Sequence, residues 1–281
     1  MVESRSAGDR AFRAINYTIL TLILLVTLYP CWYVVVASFS DPVQLYGGSK
    51  ILLWPRGFSL AAYEIIMEHT MLWKSYANTL LYVTLSTVVG LALTILGSYV
   101  LSRRALPGQR VMLTLIMITM FFGGGLIPTY LIVVELGLID SIWSMVLPSA
   151  ISTYNLIMML TYFRTMPLSL EESARLDGAS EATILVRIVL PLSKPILATI
   201  TVMNMISLYG DFIWPLLVID SNSIQVISVA VQTYSSSTQG STANYGAMIA
   251  GFVMATIPLL VMFLFSSRLY IEGITSGAVK A

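Results

Sequence analysis

The apolar residues of this chain are gathered into long runs rather than spaced with the period of a soluble helix or strand. A helix needs roughly 20 consecutive apolar residues to cross the hydrocarbon core of a bilayer. Runs of that length lie near Ala14–Ala37, Tyr76–Leu101, Val111–Val134, Ile142–Tyr162, Leu192–Ile219 and Tyr245–Leu269. Lipid offers no partner to a backbone N–H or C=O, so each run is predicted to be helical. The fold class expected is an all-α polytopic membrane protein with about six transmembrane helices. Residues 1–281 read as a single transmembrane domain, with no internal repeat.

One run is interrupted. Phe122-Gly123-Gly124-Gly125-Leu126-Ile127-Pro128 places three glycines and a proline in the third span, where they disfavour a continuous helix. A broken helix at membrane depth survives only against protein or a water-filled cavity. The break is therefore expected to line a path or form a joint, unless it is a loop between two shorter segments. Between the first two spans, Tyr46-Gly47-Gly48-Ser49 and Pro55-Arg56-Gly57 read as turns. Phe58 to Tyr63 reads as the start of a short surface helix capped by Ser59. In the connection from Asp220 to Asn244, the apolar stretch Ile224–Val231 is expected to pack back onto the bundle.

The longest polar departure from this pattern is the stretch from about residue 167 to 191. Ser169 and Glu172 have the spacing of a capping box. The helix they would start carries Leu170, Ala174 and Leu176 among Glu171, Arg175 and Asp177. Gly178 supplies the permissive backbone that stops a helix and turns the chain. A second helix is predicted from about Ser180, with Glu181 in its first turn and Ile184, Leu185 and Ile188 on one side. Pro191 is expected to end it. The product is a helix-turn-helix bracket between two hydrophobic spans, and Glu172 would act as a cap there whether or not it met a partner.

Composition and charge narrow the reading. Apolar residues make up 57% and charged residues 10%, against about a quarter charged in a soluble domain. The net charge of +1 gives no argument for nucleic acid, and no basic block with interleaved aromatics appears. Arg5, Arg10 and Arg13 precede the first span, and Arg103, Arg104 and Arg110 lie between the second and third. Arg164, Arg175, Arg187 and Lys194 surround the bracket, and Arg268 and Lys280 follow the last span. Only Lys50, Arg56 and Lys74 fall on the other side, so both termini and the bracket are expected to be cytoplasmic.

Several candidate sites dissolve on inspection. Gly47-Gly48-Ser49-Lys50 lacks the residue order of a phosphate-binding loop. His69 is the only histidine and reads as a surface residue; Cys31 is the only cysteine and reads as a packed thiol. No metal ligand set is expected. Trp54, Trp73 and Trp143 read as interfacial anchors. The first run is too long for a signal-peptide core and is expected to remain as an anchor.

The fifth span is richer. Asn204, Ser207, Asp211 and Trp214 recur at helical spacing, with Tyr209 nearby. A carboxylate within a membrane is costly and points to function, and amides, carboxylates and aromatic faces are the groups that hold sugars. The same groups also serve as interhelical glue, satisfying one another. Tyr154 and Asn155 in the fourth span, and Asn78 and Tyr82 in the second, are further polar candidates.

The bracket carries a family resemblance. Glu172-Ser173-Ala174, three residues, Gly178, nine residues, then Ile188-Val189-Leu190-Pro191 resembles the EAA loop of permease subunits in binding-protein-dependent ABC importers, with Ser173 departing from the commonest form. Tyr209-Gly210-Asp211-Phe212-Ile213-Trp214-Pro215 is similar to a WNDFLWP-like segment of carbohydrate-uptake permeases, with Tyr and Gly in place of the commoner Trp and Asn. Phe122 to Tyr130, Leu136-Gly137-Leu138-Ile139-Asp140 and the tail Gly273 to Lys280 also look like that family, nearest the branch that includes permeases for pectin-derived oligosaccharides.

The resemblance implies a non-catalytic translocation subunit for oligosaccharides, uronic-acid-containing ones among them, in a bacterial plasma membrane. Glu172, Ser173, Ala174, Gly178, Ile188, Leu190 and Pro191 would couple it to a cytoplasmic ATPase. It further implies a second permease chain, two ATPase subunits that use ATP and Mg, an extracytoplasmic binding protein, and no cofactor on this chain. Two other classes stay open from the residues alone. An ion-coupled carrier would account for Asp211 and the broken third span but not for the bracket. An intramembrane enzyme would need a catalytic constellation that one His and one Cys do not supply.

Overall fold

The computed structural model describes residues 7–46, 51–103, 106–237 and 242–278. Arg5, Arg104, Lys280 and the turn expected at Gly47 to Ser49 lie outside them. The described residues are helical throughout, apart from loops and one isolated antiparallel bridge between Ser40 and Phe58. The chain divides into two compact units, Met1–Thr70 with Val231–Ala255, and Met71–Ala230 with Thr256–Ala281.

In the first unit, α1 (Ala7–Ser38) is followed by the short α2 (Pro42–Tyr46) and α3 (Ala61–Met67). Val36, Ala37, Leu45, Leu52 and Ile249 form its small core. The Trp32 indole donates to the Leu53 carbonyl at 3.0 Å, and the hydroxyls of Ser38 and Tyr63 share a 2.7 Å hydrogen bond. α3 begins later than the sequence suggests. Leu60 is its cap residue, and the Ser59 hydroxyl instead accepts from the Ala61 amide at 3.2 Å. Cys31 is exposed on α1 rather than packed, because it lies on an apolar span whose outer residues meet no other part of the chain.

The second unit opens with α4 (Thr70–Ser102), an unbroken span of 33 residues. Ser75, Thr79, Ser86, Thr94 and Ser98 are all buried, together with Tyr82 and Gly90. Their spacing puts them on one face of the helix, so a stripe of small and polar residues faces inward. A side chain at Gly90 would come within 3.3 Å of the Ala150 carbonyl, which is why that position carries none.

α5 (Gln109–Phe121) and α6 (Leu126–Glu135) are the two halves of the third run, bent by 110° at the glycines. Gly125 sits at φ +84°, a conformation L side chains rarely adopt. The expected break is therefore present. The fourth run, Ile142–Tyr162, is not one helix as expected. It forms α7 (Ile142–Val146) and α8 (Thr153–Phe163), capped by the hydroxyls of Ser141 and Ser152. Pro148 lies between them; it has no amide to give a continuing helix and biases its neighbour away from one.

α9 (Leu168–Leu176), α10 (Glu181–Ile184), a π-turn at Leu185–Val189 and α11 (Leu190–Leu192) make up the bracket. The chain then bends by 80° at Ser193 into α12 (Lys194–Tyr209). Gly210 to Phe212 separate α12 from α13 (Ile213–Val218), so the fifth run is also not a single helix. α14 (Ile227–Ser237) and α15 (Thr242–Ala278) complete the order. Val226, Ile227, Val229, Ala230 and Val231 are buried, as the apolar stretch there predicts. Among the described residues, three helices are long and apolar enough to cross a membrane unbroken, or five spans if each bent pair counts as one.

The loop between α6 and α7 is held by one carboxylate. Asp140 is the only non-glycine among the described residues at positive φ, +56°. Its Oδ1 accepts from the amides of Asp220 (3.1 Å) and Ser221 (2.8 Å), while its own amide donates to the Val218 carbonyl at 2.8 Å. The Ser221 amide, foremost among these donors, holds the carboxyl below its usual 3.8. A carboxylate with a lowered folded pKa contributes stability above its ordinary range and loses it as pH falls through the lowered value. We therefore expect Asp140→Ala to reduce the melting temperature of the detergent-solubilised protein at pH 7, and the deficit to shrink as pH falls below about 4. Asp140→Asn, which keeps an acceptor oxygen and tolerates positive φ, should retain most of the stability. Equal melting curves for Asp140→Ala and the parent at pH 7 would show that the loop is held elsewhere.

Candidate functional site

The bracket is built from local backbone chemistry first. α9 starts at Leu168 because the Pro167 carbonyl already accepts the first turn's hydrogen bond, from Leu170 at 3.3 Å. Ser169 is then inside the helix, and the capping box expected with Glu172 does not form. At the other end, Gly178 donates to the Arg175 carbonyl at 3.0 Å and Ala179 to the Ala174 carbonyl at 2.9 Å. This pair of bonds is a Schellman motif, and it requires the φ of +82° that Gly178 adopts. Ala174 and Ala179 pack together against the core formed by Tyr99, Met159, Phe163, Ile184, Leu185, Val189, Ile196 and Ile200.

Ser180 caps α10 through its hydroxyl, which accepts from the Thr183 amide at 3.2 Å, as expected. The second arm does not stop at Pro191. It runs on to Leu192, because the π-turn at Leu185–Val189 widens the helix just before the proline ring. The helix ends instead at Ser193, whose hydroxyl donates to the Val189 carbonyl at 2.6 Å. Ile188 and Leu190 are half-buried, and Pro191 is exposed.

A ring of charge closes the bracket, and nothing in the motif pointed to it. Arg103, the first residue beyond α4, pairs with Glu171 of α9 and with Glu181 at the start of α10, the latter at 3.2 Å. Arg175 completes the ring, 2.8 Å from Glu181 and 3.5 Å from Glu171. Tyr99 donates its hydroxyl to Glu181 Oε2 at 2.7 Å, and its ring lies 4.3 Å below the Arg103 guanidinium carbon. The hydrogen bond to Glu181 also raises the already high pKa of Arg175. Glu171 is the buried member, whereas Glu172 and Ser173 of the motif are exposed. Leu176, at the tip beside the turn, is 90% exposed. Sequence signals for the ring existed only in part: Glu171 and Arg175 have the i,i+4 spacing of a helical ion pair, but Arg103 lies 78 residues from Glu181.

The polar residues of the fifth run do not form one helical stripe. Asn204 and Ser207 lie on α12, Asp211 in the break and Trp214 on α13. Asn204 is brought to Asn155, whose amide donates to Asn204 Oδ1 at 2.7 Å. The Trp214 indole donates to the Ser144 carbonyl at 2.9 Å, and Tyr209 is buried. Asp211 caps α13 weakly, accepting from the Trp214 amide at 3.4 Å, and its carbonyl accepts from Ser228. Ser207 and Tyr154 are the exposed members of the set. Asn78 donates to the carbonyls of Ser223 and Gln225 and so holds the segment after α13 against α4. Among the described residues there is no cluster of His, Cys, Asp and Glu able to hold a metal ion.

The arrangement is a membrane-embedded bundle with a rigid polar bracket and no catalytic constellation in view, and comparison with known proteins agrees with it. Residues 94–270 match the family described as "Binding-protein-dependent transport system inner membrane component". The chain is 35% identical to the polygalacturonan/rhamnogalacturonan transport system permease protein YtcP of Bacillus subtilis (strain 168), over 97% of this chain and 99% of that one. It is 33% identical to Protein LplC of the same organism, over 97% of this chain and 96% of that one. Among solved structures, it superposes with a TM-score of 0.88 and 29% identity on a bacterial ABC transporter involved in the import of the acidic polysaccharide alginate, covering 95% of this chain and 99% of that one. The match spans the bracket, the broken helices and nearly the full length of each relative, and the chain belongs to the family of binding-protein-dependent transport system inner membrane components, the permease subunits of ABC importers.

Proposed function

We propose that this permease moves oligosaccharides, uronic-acid-containing ones among them, delivered by an extracytoplasmic binding protein and driven by ATP hydrolysis on separate subunits. The observation that carries the proposal is the bracket. Its turn is closed by backbone bonds, its arms are tied by charge, and it presents Leu176, Glu172 and Ser173 outward. A large apolar side chain held rigidly in water is matched to a groove on a partner. That partner is the ATPase, present in two copies that use ATP and Mg, with a second permease chain completing the path. The full-length kinship with proteins named for polygalacturonan, rhamnogalacturonan and alginate supports acidic sugars as the substrate class.

All 281 residues act as one permease domain in a bacterial plasma membrane, with both termini and the bracket cytoplasmic. ATP binding closes the ATPase pair and shifts the permeases from inward- to outward-facing through the bracket. Within the path the polar residues divide. Asn155 and Asn204 satisfy each other, and Trp214 is engaged by Ser144, so these three hold the bundle. Tyr154, Ser207 and Asp211 are left to meet the sugar. The negative charge of Asp211 suits hydroxyl groups, so the cations that receive a uronate carboxylate are supplied by the second permease chain.

Coupling is tested in reconstituted complexes. Gly178→Pro, whose ring cannot adopt the observed φ, and Leu176→Asp should each abolish substrate-stimulated ATP hydrolysis while the permease still folds. Normal transport by both would sink the docking reading.

The division of the path predicts two different failures. Tyr154→Ala and Asp211→Asn should raise the substrate concentration for half-maximal uptake of galacturonate oligosaccharides, by about tenfold for Asp211 if one charged hydrogen bond is lost. Asn155→Leu should lower thermal stability by about 1 kcal/mol with unchanged affinity. The reverse assignment would make Asp211 the structural residue. Failure of galacturonate oligosaccharides to be taken up, with uptake of neutral ones, would refute the acidic substrate class.

Orientation is read with impermeant thiol reagents on intact cells in a Cys31→Ala background. Cysteine at Ser221 should react and cysteine at Ser180 should not. The opposite pattern would invert the chain in the membrane.

A further inference from the structure

The EAA bracket is joined covalently to the bundle through α8 on one side and α12 on the other. The charge ring adds a third connection, and it runs to an element the motif does not include. α4 is the longest unbroken helix of the second unit. At one end it is hydrogen-bonded, through Asn78 and Thr79, to the segment of residues 223–227 that follows Asp211 and Trp214. In its middle, Gly90 lies against Ala150 and the Asn204 amide. At its other end Arg103 grips both arms of the bracket, one carboxylate from each.

We infer that Arg103 is a positioning residue for coupling: it fastens the bracket to α4, so that movement of the bracket is carried along α4 to the polar elements of the path. The geometry distinguishes Arg103 from Arg175. Both contact Glu171 and Glu181, but Arg175 belongs to α9 and can only brace the bracket internally. Arg103 is the member of the ring that lies outside the bracket, and it is pre-set by Tyr99, one turn back on α4, which stacks under its guanidinium and donates to the same Glu181 oxygen. A guanidinium is suited to this role because its planar fork can serve two carboxylates at once, which an ammonium on a flexible stem does less well. The side chain is 23% exposed and Glu171 11%, so solvent screens the pair less than it would a surface ion pair.

Without Arg103, the bracket would still be closed at Gly178, internally braced by Arg175 and seated on its apolar core. It would still dock. It would no longer pull α4 with it. The expected signature is therefore loss of coupling without loss of assembly.

This inference rests on the reading of the bracket as the ATPase-docking element, and the test separates the two. Complexes are purified with their ATPase and reconstituted in vesicles with the binding protein and galacturonate oligosaccharides. Uptake, basal ATP hydrolysis and substrate-stimulated hydrolysis are measured for Arg103→Ala, Arg103→Lys, Glu181→Gln and the double variant Arg103→Ala with Glu181→Gln. We expect Arg103→Ala to keep the ATPase bound and basal hydrolysis intact, and to lower sugar transported per ATP by about tenfold, the scale of one charge-assisted hydrogen bond. Arg103→Lys should fall between, and the double variant should lose little more than Arg103→Ala, because both act through one contact. Unchanged sugar per ATP in Arg103→Ala or Arg103→Lys overturns the inference. So does additivity in the double variant, or loss confined to yield and thermal stability with normal sugar per ATP in the surviving complex. If Leu176→Asp also leaves the ATPase bound and coupled, the docking reading fails as well; if only the Arg103 variants are normal, docking stands and the α4 connection alone is refuted.

Discussion

Hydrocarbon solvates carbon and leaves every N–H, C=O and O–H group to find its partner within the protein. In α4 the consequence is an inverted helix. Leu80, Leu81, Val88, Leu93, Leu96 and Val100 point outward, while Ser75, Thr79, Ser86, Gly90, Thr94 and Ser98 are buried. Small side chains let neighbouring backbones come close, and hydroxyls return their hydrogens to carbonyls a turn back, as Thr79 does to Ser75 and Ser98 to Thr94. The same constraint governs the breaks. Where helices stop between α7 and α8 or between α12 and α13, the freed groups are met by Ser141, Ser152 and Asp211.

Features set by one residue's own backbone were legible in advance. Gly125 and Gly178 both occupy the positive φ that made glycine the natural choice there, and Ser180 caps the helix it precedes. Features that depend on a contest between two neighbouring signals were not. Ser169 looked like a cap, but Pro167 had already started the helix; Pro191 looked like a stop, but a π-turn made room for it. Apolar composition also hid Pro148 inside a run long enough to cross a membrane, because hydropathy records the solvent a segment prefers and not the hydrogen bonds its backbone can make.

The candidate site divides along the same line. The bracket was readable because its residues are neighbours in sequence. The contacts that place it were not, since Arg103 and Tyr99 reach it from the end of another helix, and no local spacing announces a pair separated by 78 residues. The polar stripe of the fifth run failed for a geometric reason: a shared helical sector presupposes an uninterrupted helix, and the chain is broken at Asp211 itself. What replaced it is more informative, because Asn204 paired with Asn155 and Trp214 tied to Ser144 are thereby separated from the side chains left free to meet a sugar.

The π-turn at Leu185–Val189 has a consequence for how such a chain can change over generations. A π-turn is an α-helix with one residue too many for its rise. Deleting any one of these five residues would let the segment relax to ordinary helix and rotate everything beyond it by about 100°. The 80° elbow at Ser193 would then point α12 elsewhere, and Asn204 would swing away from Asn155. Exchanges of one apolar residue for another in this stretch alter packing by degrees, whereas the gain or loss of a single codon redirects a whole span. The number of residues between the turn of the bracket and the membrane is thus an inherited quantity in its own right, separate from their identities.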